Sequence, residues 1–571
     1  MTAESLLEGL DDDQRSAAEA LLGPVCVLAG AGTGKTRAIT HRIAYGVATG
    51  AYPPGRVMAL TFTTRAAGEL RSRLRVLGAA GVSARTFHSA ALAQLSFFWP
   101  QTIGGTLPRV LDSKARLLAQ AAETARVPVD TAVLRDLAAE IEWRKGAGLS
   151  LDAYEDEAAN RALPGKLVAS QVTAVQRAYE DIKDSRRQID FEDVLLATIG
   201  LIEEEERVAQ QIREQYRFFV VDEYQDVSPL QQQLLSSWLG DRRDVCVVGD
   251  ASQTIYSFAG AKSDYLLDFG SQYPDAQVIK LERNYRSDSG VLAVANRLMR
   301  DRPGALNLTP TRQAGGTQPA VAVTSYPDEL AEARSVADDI AARVAEGESP
   351  SDFAVLFRIN SQSAALETAL DERNIASSVR GTGRFFDQRE VKEAMMMLRA
   401  AALTLSDEPL FKTVSDVLRS LGWTQQAPET RGAVRDRWES LDMIMTLAEQ
   451  CPPGTTTGQF VDELGERQAA QHEPTRDAVT LATLHSAKGL EWECVYLIGL
   501  TEGYLPISYA KTPAAIDEER RLLYVGVTRA RRSLRMSWAQ LAPHRSAQRS
   551  RSRFLEELGT SIEDEQPIRV G

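Results

Sequence analysis

The sequence contains little that would point to a secreted or membrane protein. Only four cysteines occur in 571 residues, namely Cys26, Cys246, Cys451 and Cys494, and none belongs to a C-x-x-C pair. We therefore expect buried free thiols rather than disulfides or a zinc site. No apolar run reaches the roughly 18 residues of a membrane span. The acidic start lacks a signal-peptide pattern, so we expect a cytoplasmic protein without membrane association.

Positive charge is also scarce overall, since the net charge is −13. This balance argues against a protein that binds polyanions over its whole surface. Arginine is nevertheless concentrated in two segments. Residues 61–88 hold five arginines and one glutamate, and residues 520–553 hold ten arginines and no acid. Each segment is either a solvated face or part of a local nucleic-acid track.

One stretch, VCVLAGAGTGKTRAI at 25–39, indicates a phosphate-binding loop. A short apolar run, a glycine-rich turn and a helical pattern follow one another, which is the context that such a loop requires. Lys35 would reach the β- and γ-phosphates, and Thr36 would bind Mg²⁺. Ala29 stands where the usual pattern has its first glycine, which is acceptable if its backbone conformation is ordinary. The loop comprises Ala29, Gly30, Ala31, Gly32, Thr33, Gly34, Lys35 and Thr36.

A second apolar run, within YRFFVVDEYQDVSPLQ at 216–231, ends in two acids. Asp222 is predicted to complete the Mg²⁺ shell. Glu223 is predicted to act as the general base that polarises the attacking water.

Two further segments continue the pattern. VCVVGDASQTIYSFAGA (245–261) is a third apolar run, and Gln253 follows it where a polar side chain would sense the γ-phosphate. In LERNYRS (281–287), Arg286 is predicted to reach the triphosphate and Tyr285 to stack on the adenine.

In this order, the four segments resemble the motifs of the UvrD/Rep family of superfamily 1A DNA helicases. The resemblance implies an α/β protein with two RecA-like P-loop NTPase motor domains, each with a mostly helical insertion, and ATP between them. Further segments that match the family are LDDDQR (10–15), TFTTRAAGEL (61–70), TFHS (86–89), DFED (190–193), VLFRINSQS (355–363), VTLATLHSAKGLEWECVYLIGL (479–500) and DEERRLLYVGVTRARRSL (517–534).

The resemblance also assigns nucleotide contacts. It implies that Gln14 holds the adenine edge, that Arg37 lies near the adenine and that Glu491 contacts the ribose. Arg529 would act as an arginine finger. Closing and opening the cleft around ATP would then produce stepping along DNA.

Single-strand contacts are implied in the same way, with bases stacking on aromatic rings. Phe258 departs from the family, whose members usually have Trp at this position. Trp492 stands where Phe is more usual, and it fits a core position equally well. The DNA-contact candidates are Phe62, Thr63, His88, Phe191, Tyr256, Phe258, Arg358, Asn360 and His485.

The predicted organisation has four parts and a tail. We expect the second insert to be shorter than its family counterpart and to lack a glycine-containing duplex-contact element, so duplex unwinding would be weak or partner-dependent. No nuclease or docking module is expected after residue 560. The predicted ranges are 1–90 and 189–288 for the first motor domain, 91–188 for its insert, 289–384 and 475–560 for the second motor domain, 385–474 for the accessory insert, and 561–571 for a disordered tail.

The sequence thus predicts a 3′–5′ single-stranded DNA translocase and helicase that uses ATP and Mg²⁺ in DNA repair or replication restart. We expect a monomer that binds single-stranded DNA and single-strand/duplex junctions and works with repair-protein partners. Two alternatives stay open. One is a translocase that displaces proteins from DNA with little unwinding, and the other is an ATP-switched DNA-binding clamp. Glu223 and Arg529 argue against a clamp without turnover.

Overall fold

The computed structural model divides the chain into two compact units. The first contains Met1–Arg286, Met299–Arg312 and Pro513–Tyr524, and the second contains Ser287–Leu298, Gln313–Thr512 and Val525–Gly571. The structure describes residues 2–158, 163–164, 167–312, 320–380, 386, 389–402, 408–425, 433–449, 451–452, 454–469, 477–542 and 545–558.

Strands and helices alternate along most of the chain. The strands are β1 (Val25–Ala29), β2 (Val57–Thr61), β3 (Ser83–Thr86), β4 (Arg109–Val110), β5 (Gln188–Ile189), β6 (Phe218–Val221), β7 (Val245–Gly249), β8 (Gln277–Leu281), β9 (Arg283–Asn284), β10 (Thr309–Pro310), β11 (Val321–Asp328), β12 (Phe353–Phe357), β13 (Ser377–Val379), β14 (Val479–Thr483), β15 (Trp492–Leu497), β16 (Ala530–Ala542) and β17 (Arg545–Gln548). The helices are α1 (Ala3–Leu7), α2 (Asp12–Glu19), α3 (Lys35–Ala48), α4 (Thr64–Val76), α5 (Phe87–Thr102), α6 (Ala115–Thr124), α7 (Thr131–Gly146), α8 (Leu151–Ala158), α9 (Ala169–Ser185), α10 (Phe191–Glu204), α11 (Glu206–Gln215), α12 (Pro229–Leu239), α13 (Asp264–Leu267), α14 (Phe269–Gln272), α15 (Ser289–Leu298), α16 (Glu329–Ala345), α17 (Ser363–Asp371), α18 (Arg389–Ala402), α19 (Leu410–Ser420), α20 (Ala433–Glu449), α21 (Thr457–Ala469), α22 (Pro513–Val527) and α23 (Arg553–Glu557). Short 3₁₀ turns lie at Pro54–Arg56, Tyr224–Asp226, Ala251–Gln253, Ser257–Ala259, Pro350–Asp352 and Asn360–Gln362.

A six-stranded parallel sheet forms the centre of the first unit, in the order β3-β2-β6-β7-β1-β8. Side chains alternate along each strand between two cores. In β1, Val25 and Val27 enter one core and Cys26 enters the other. Burial on both faces explains why β1, β6 and β7 appear in the sequence as continuous apolar runs, whereas the edge strand β8 is mostly exposed. The strands that these runs predict, VCVL, FFVV and VCVV, are confirmed, and so is the strand expected at QVIKL, directly before LERNYRS.

Helices α6 to α9 surround a separate core in the same unit. The helical spacing of KARLLAQAAETA (114–125) and TAVLRDLAAEIEWRK (131–145) predicts a helix in each, and α6 and α7 confirm both. A buried ion cluster joins them to α10. Asp190 Oδ2 lies 2.8 Å from Lys145 Nζ and 3.1 Å from Lys183 Nζ, and Asp190 also caps α10. The two ammonium groups hold the pKa of Asp190 well below its ordinary value, although burial alone would raise it.

The second unit has a sheet of seven strands, in the order β11-β16-β15-β12-β14-β13, with β17 antiparallel to β16. Helices α16 and α17 pack on the core of this sheet. The accessory helices α18 to α21 form a core of their own. From the sequence, the methionines of MMM in this insert, Met395 to Met397, are expected to fill its core. Met395 is buried, but Met396 is 66% exposed, so that prediction is wrong for Met396. Adjacent residues of a helix point about 100° apart, so Met395 faces the core while Met396 faces solvent.

No disulfide joins the four cysteines. Cys26, Cys246 and Cys494 are buried as expected, whereas Cys451 is only half-buried. Within the described ranges, no helix is long and apolar enough to cross a membrane. The four-domain division stays a prediction, and the predicted tail at 561–571 lies outside the described residues.

Candidate nucleotide and DNA site

The glycine-rich loop connects β1 to α3 at the carboxyl edge of the first sheet. Gly32 and Gly34 have positive φ angles of 71° and 83°. Both conformations strain residues with a Cβ atom. Space is short as well, because a Cβ on Gly32 would lie 2.6 Å from Asn284 Nδ2 and one on Gly34 would lie 2.6 Å from Gln14 Nε2. Ala29 is a strand residue, so a glycine is not required there.

Neighbouring residues hold three successive carbonyl groups of this loop. Asn284 Nδ2 donates to the Ala31 carbonyl at 2.6 Å, and the Tyr285 amide donates to the Gly32 carbonyl at 2.9 Å. Gln14 Nε2 donates to the Thr33 carbonyl at 2.9 Å. In a trans peptide the N–H points opposite to the carbonyl. The N–H groups of Gly32 and Gly34 therefore point to the other side of the loop, where an anion would bind, while the Thr33 N–H donates to the Gly30 carbonyl at 3.4 Å.

Lys35 begins α3 and meets the acidic pair that follows β6. Its Nζ lies 3.5 Å from Glu223 Oε1. Glu223 has a φ of 54°, in the left-handed region. Such a conformation costs about 1–3 kcal/mol and persists where the surroundings determine it. The chain turns sharply at this residue, which brings its carboxylate to the amino end of α3.

Asp222 precedes this turn and accepts a hydrogen bond from the Glu223 amide at 3.0 Å. Burial, and secondly the charge of Glu223, raise the pKa of Asp222 to about 7. A cation beside Asp222 would lower this pKa again, because it favours the charged carboxylate. The carboxylate of Asp222 and the hydroxyl of Thr36 are the oxygen ligands that Mg²⁺ prefers, so these residues fit the predicted ion.

Gln225 links the acidic pair to the next strand. Its Nε2 donates to Glu223 Oε2 at 2.5 Å, and its Oε1 accepts from the Asp250 amide at 3.0 Å. Asp250 in turn accepts from Gln253 Nε2 at 2.8 Å. Gly249 makes room for this contact, since a Cβ there would lie 2.5 Å from Gln225 Oε1. The ends of β6 and β7 are thus joined through one side chain.

The predicted adenine contacts lie on the side of the loop where its carbonyl groups are held. Tyr285 is 42% exposed, and its hydroxyl donates to Asp11 Oδ2 at 2.5 Å. Burial, and secondly this bond to Asp11, raise the pKa of Tyr285 to about 12. Arg37 Nη2 donates to the Gly9 carbonyl at 2.9 Å. Gln14 is almost fully buried and supports the loop as described above. The adenine-contact roles of these residues stay predictions.

Arg286, on the same side, has its backbone held by Asn284 Oδ1 and by Arg312 Nη1. In the second unit, the guanidinium of Arg529 is buried and donates to the carbonyls of Val525 at 2.8 Å and Leu490 at 3.0 Å. The contact to Leu490 holds the residue before Glu491.

Glu491 is exposed and pairs with Arg531 at 2.7 Å. The arginine-finger and ribose-binding roles of Arg529 and Glu491 stay predictions.

Several DNA-contact candidates of the first unit follow β2 and β3. Phe62 is half-buried, and Thr63 caps α4. The rings of His88 and Phe191 meet edge to face at 6.0 Å, and Phe191 is exposed. Burial, and secondly Lys114, lower the pKa of His88 to about 4. His88 is therefore a neutral ring at physiological pH, which suits stacking rather than phosphate binding.

Tyr256 and Phe258 form a second aromatic pair, edge to face at 5.9 Å, with Phe258 56% exposed. Glu518 holds the residue between them, because its carboxylate accepts from the Ser257 amide at 3.1 Å and from the Ser257 hydroxyl. Arg521, one turn further along α22, donates to the Thr254 carbonyl at 2.7 Å. The middle of α22 therefore fixes the conformation of this segment.

In the second unit, Arg358 and His485 lie close together. Burial, followed by the charges of Arg358 and Lys488, lowers the pKa of His485 to about 4. Arg358 Nη2 also donates to the hydroxyl of the exposed Tyr509 at 3.4 Å. Asn360 is exposed at the start of a 3₁₀ turn. Trp492 is buried in β15, in agreement with a core position.

The family comparisons agree with this arrangement. The model of the UvrD/REP helicase N-terminal domain matches residues 10–274, and that of the UvrD-like helicase C-terminal domain matches residues 279–428 and 442–541. The chain belongs to the UvrD/REP helicase family. Members of this family have RecA-like P-loop motor folds, and they are ATP-dependent DNA helicases.

Individual relatives span most of the chain. It is 46% identical to the ATP-dependent DNA helicase UvrD2 of Mycobacterium tuberculosis, over 97% of this chain and 82% of the relative. It is 28% identical to DNA helicase II of Escherichia coli, over 100% of this chain and 90% of the relative. It is also 28% identical to the ATP-dependent DNA helicase PcrA of Leuconostoc citreum, over 98% and 86% respectively.

Sequence reasoning missed the residues that hold the site in place. Asn284 and Gln225 lie inside the segments that were singled out, but a lone amide carries no spacing signal. Glu518 lies about 260 residues from the segment it supports. Only the fold brings such partners together.

Proposed function

We propose that the chain is an ATP- and Mg²⁺-dependent motor that moves 3′ to 5′ along single-stranded DNA and acts at single-strand/duplex junctions. DNA repair or replication restart is the proposed process, in the cytoplasm, with the chain acting as a monomer beside repair proteins. One observation carries the proposal. Contacts between side chains and the backbone link Lys35, Glu223, Gln225 and Asp250 beside the glycine loop, and residues outside the loop donate hydrogen bonds to its carbonyls.

The residues of this set suggest a division of labour. Loop N–H groups and Lys35 would neutralise the phosphates. Mg²⁺, held by Thr36 and Asp222, would supply further charge stabilisation of the phosphoryl group in transfer. Glu223 would accept the proton of the attacking water, and Gln225 keeps that carboxylate directed by donating to its second oxygen. Arg529 is proposed as the arginine finger.

A short segment connects the nucleotide residues to the DNA-contact candidates. Gln253, the proposed γ-phosphate sensor, lies three residues before Tyr256 and five before Phe258. Asp250 holds Gln253 at one end, and Glu518 holds Ser257 at the other. A change in the position of Gln253 on hydrolysis would therefore reach the aromatic pair through few rotatable bonds. This is the proposed coupling of ATP turnover to movement on DNA.

Weak intrinsic unwinding is part of the proposal. The alignment with DNA helicase II of Escherichia coli runs over 660 positions, although this chain has 571 residues. Relatives of that type therefore contain segments that this chain lacks. This length difference supports a shortened accessory insert, and it favours translocation with displacement of bound proteins as the alternative activity.

ATPase rates on oligothymidylates of increasing length test the motor, and duplexes with 3′ or 5′ tails test its polarity. We expect DNA to stimulate the ATPase rate strongly. A motor that moves 3′ to 5′ should remove streptavidin from the 5′ end of a biotinylated strand and not from the 3′ end. DNA stimulation below about tenfold would favour the clamp. Robust unwinding of long duplexes by the monomer would contradict the proposed weakness.

A further inference from the structure

A cluster of arginines lies at the edge of the first sheet opposite the nucleotide loop. Arg56, Arg217 and Asp244 directly precede β2, β6 and β7, whereas the loop follows the carboxyl end of β1. These residues line a cavity of about 340 Å³, here called the arginine pocket. Its wall consists of Arg56, Arg213, Glu214, Arg217, Arg242, Arg243 and Asp244.

Few carboxylates compensate this charge. Asp244 pairs with Arg217 at 3.2 Å and also accepts from the Gly23 amide, while Arg243 pairs with Asp275. The remaining three arginines make no ion pair within the described part of the chain. They are Arg56, Arg213 and Arg242.

The pocket has a defined shape. Gly240, with a φ of 57°, leaves space for the guanidinium of Arg213, which a Cβ would approach to 2.8 Å. Arg213 Nη2 donates to the Ser237 carbonyl at 3.0 Å, and its buried Nε has no hydrogen-bond partner among the described residues. Arg242 Nη1 donates to the Tyr216 carbonyl at 3.0 Å. Burial, and then the charges of Arg217, Arg213 and Arg56, lower the pKa of Arg242. Backbone contacts thus hold cations together that repel one another, and an anion would relieve the repulsion.

An apolar groove of about 380 Å³ adjoins this pocket, and we call it the phenylalanine groove. Gln215 and Tyr216 line the groove, while Glu214 and Arg217 line the pocket, so the two share one wall. Phe97 in this groove is 61% exposed.

Gln94 also lines the groove. It is 8% exposed and accepts from Trp238 Nε1 at 2.7 Å, but its Nε2 has no partner among the described residues. A side-chain amide donor of this kind matches a main-chain carbonyl.

We propose that the arginine pocket and the phenylalanine groove together bind an acidic peptide segment of a partner protein, with carboxylates in the pocket and an apolar side chain against Phe97. The arginines suit any polyanion, and it is the adjoining apolar groove that favours a peptide over DNA, because a peptide carries carboxylates and an aliphatic side chain in one segment. The DNA-contact candidates lie elsewhere, because His88 is nine residues before Phe97 on α5, a distance of about 14 Å along the helix.

The test uses the full chain and a short fluorescein-labelled peptide with a run of glutamates followed by leucine and phenylalanine. Fluorescence anisotropy should show binding that weakens with salt. A peptide with glutamines in place of the glutamates should bind at least about tenfold more weakly. Arg56→Gln combined with Arg242→Gln, and separately Phe97→Ser, should each weaken binding of the acidic peptide by a similar factor.

Arg177→Gln is the matched control, since Arg177 is an exposed arginine paired with Asp152 elsewhere in the same unit. Circular dichroism melts check folding. If the double variant fails to fold, Arg56→Gln alone replaces it, because Arg56 is exposed. Absence of peptide binding, or unchanged binding by the pocket variants, overturns the proposal. Displacement of the peptide by oligothymidylate, with loss of DNA binding in the same variants, would assign the pocket to nucleic acid and also overturn it.

Discussion

Lys35 Nζ and Glu223 Oε1 lie 3.5 Å apart, with the lysine at the start of a helix and the glutamate on a left-handed turn. In the proposed mechanism, this separation would place a cation for the phosphate charge next to a carboxylate for the attacking water. The turn makes this possible, because a regular continuation of β6 would direct the Glu223 side chain elsewhere.

Replacing Glu223 with Gln should therefore separate binding from chemistry. We expect kcat for ATP to fall by about 10²–10⁴-fold, since a general base contributes on that order. The Kd for a fluorescent ATP analogue should change little, because Lys35 and the loop remain. Steady-state ATPase with saturating single-stranded DNA measures the first quantity, and titration of the analogue measures the second.

Glu206→Gln serves as the control, since Glu206 is an exposed residue at the start of α11. Normal turnover by the Glu223→Gln variant would show that another group accepts the proton. Lys35→Ala should lower both turnover and nucleotide affinity, because it removes a charge that faces the phosphates.

Gln225 is expected to act through Glu223 rather than on substrate. Gln225→Ala should lower kcat by roughly tenfold and leave the Kd for nucleotide nearly unchanged, because it frees one oxygen of Glu223 from its hydrogen bond. Gln233→Ala, on the exposed side of α12, is the matched control. A loss of affinity that equals the loss of kcat would indicate general damage to the site.

Phe258→Ala should lower the affinity for single-stranded DNA more than the affinity for nucleotide. Stacking of one base is worth about 1–3 kcal/mol, so we expect the Kd for oligothymidylate to rise roughly tenfold or more. The exposed edge-to-face pair with Tyr256 is the structural reason. Phe411→Ala controls for removal of an exposed ring, because Phe411 lies on the accessory helix α19. Equal losses of DNA and ATP affinity would contradict a stacking role.

The sequence predicts the strands of the first sheet better than it predicts the side-chain contacts of the site. The apolar runs of β1, β6 and β7 are visible because these parallel strands are buried on both faces. The acids after β6 are visible because strand ends meet at one edge of the sheet. The left-handed turn at Glu223 has no such signature, since glutamate usually avoids that conformation.

Long-range partners were out of reach for a different reason. Glu518 reaches Ser257, and Asp190 reaches Lys145, only because helices fold back onto each other. Charged residues at helical spacing usually indicate a solvated face, so the buried ions among α7, α9 and α10 could not be distinguished from surface charges. The burial of Gln14 and its bond to the Thr33 carbonyl were likewise not readable, because the segment LDDDQR pointed only to an adenine contact through its resemblance to the family.

Glu332 should make the stability of the second unit depend on pH. It is buried on α16, accepts from the Gly499 amide at 3.1 Å and from the Ser537 hydroxyl, and burial raises its pKa to about 7 from an ordinary 4.5. Between these two values the folded state retains a proton that the unfolded chain has lost. Stability therefore declines as the pH rises from about 4.5 to about 7 and is then constant with respect to this group.

One pKa unit corresponds to about 1.4 kcal/mol, so the decline is on the order of 3 kcal/mol. Glu332→Gln should remove it, because the amide stays neutral and its oxygen still accepts both hydrogen bonds. Thermal melts across this pH range should give curves for the two proteins that diverge below neutral pH, with the wild type gaining relative stability in acid. Glu346→Gln, an exposed change at the end of the same helix, should leave the wild-type pH dependence intact. Parallel curves for wild type and Glu332→Gln would mean that this carboxyl group is already ionised in the folded protein and that its two hydrogen bonds outweigh the cost of burial.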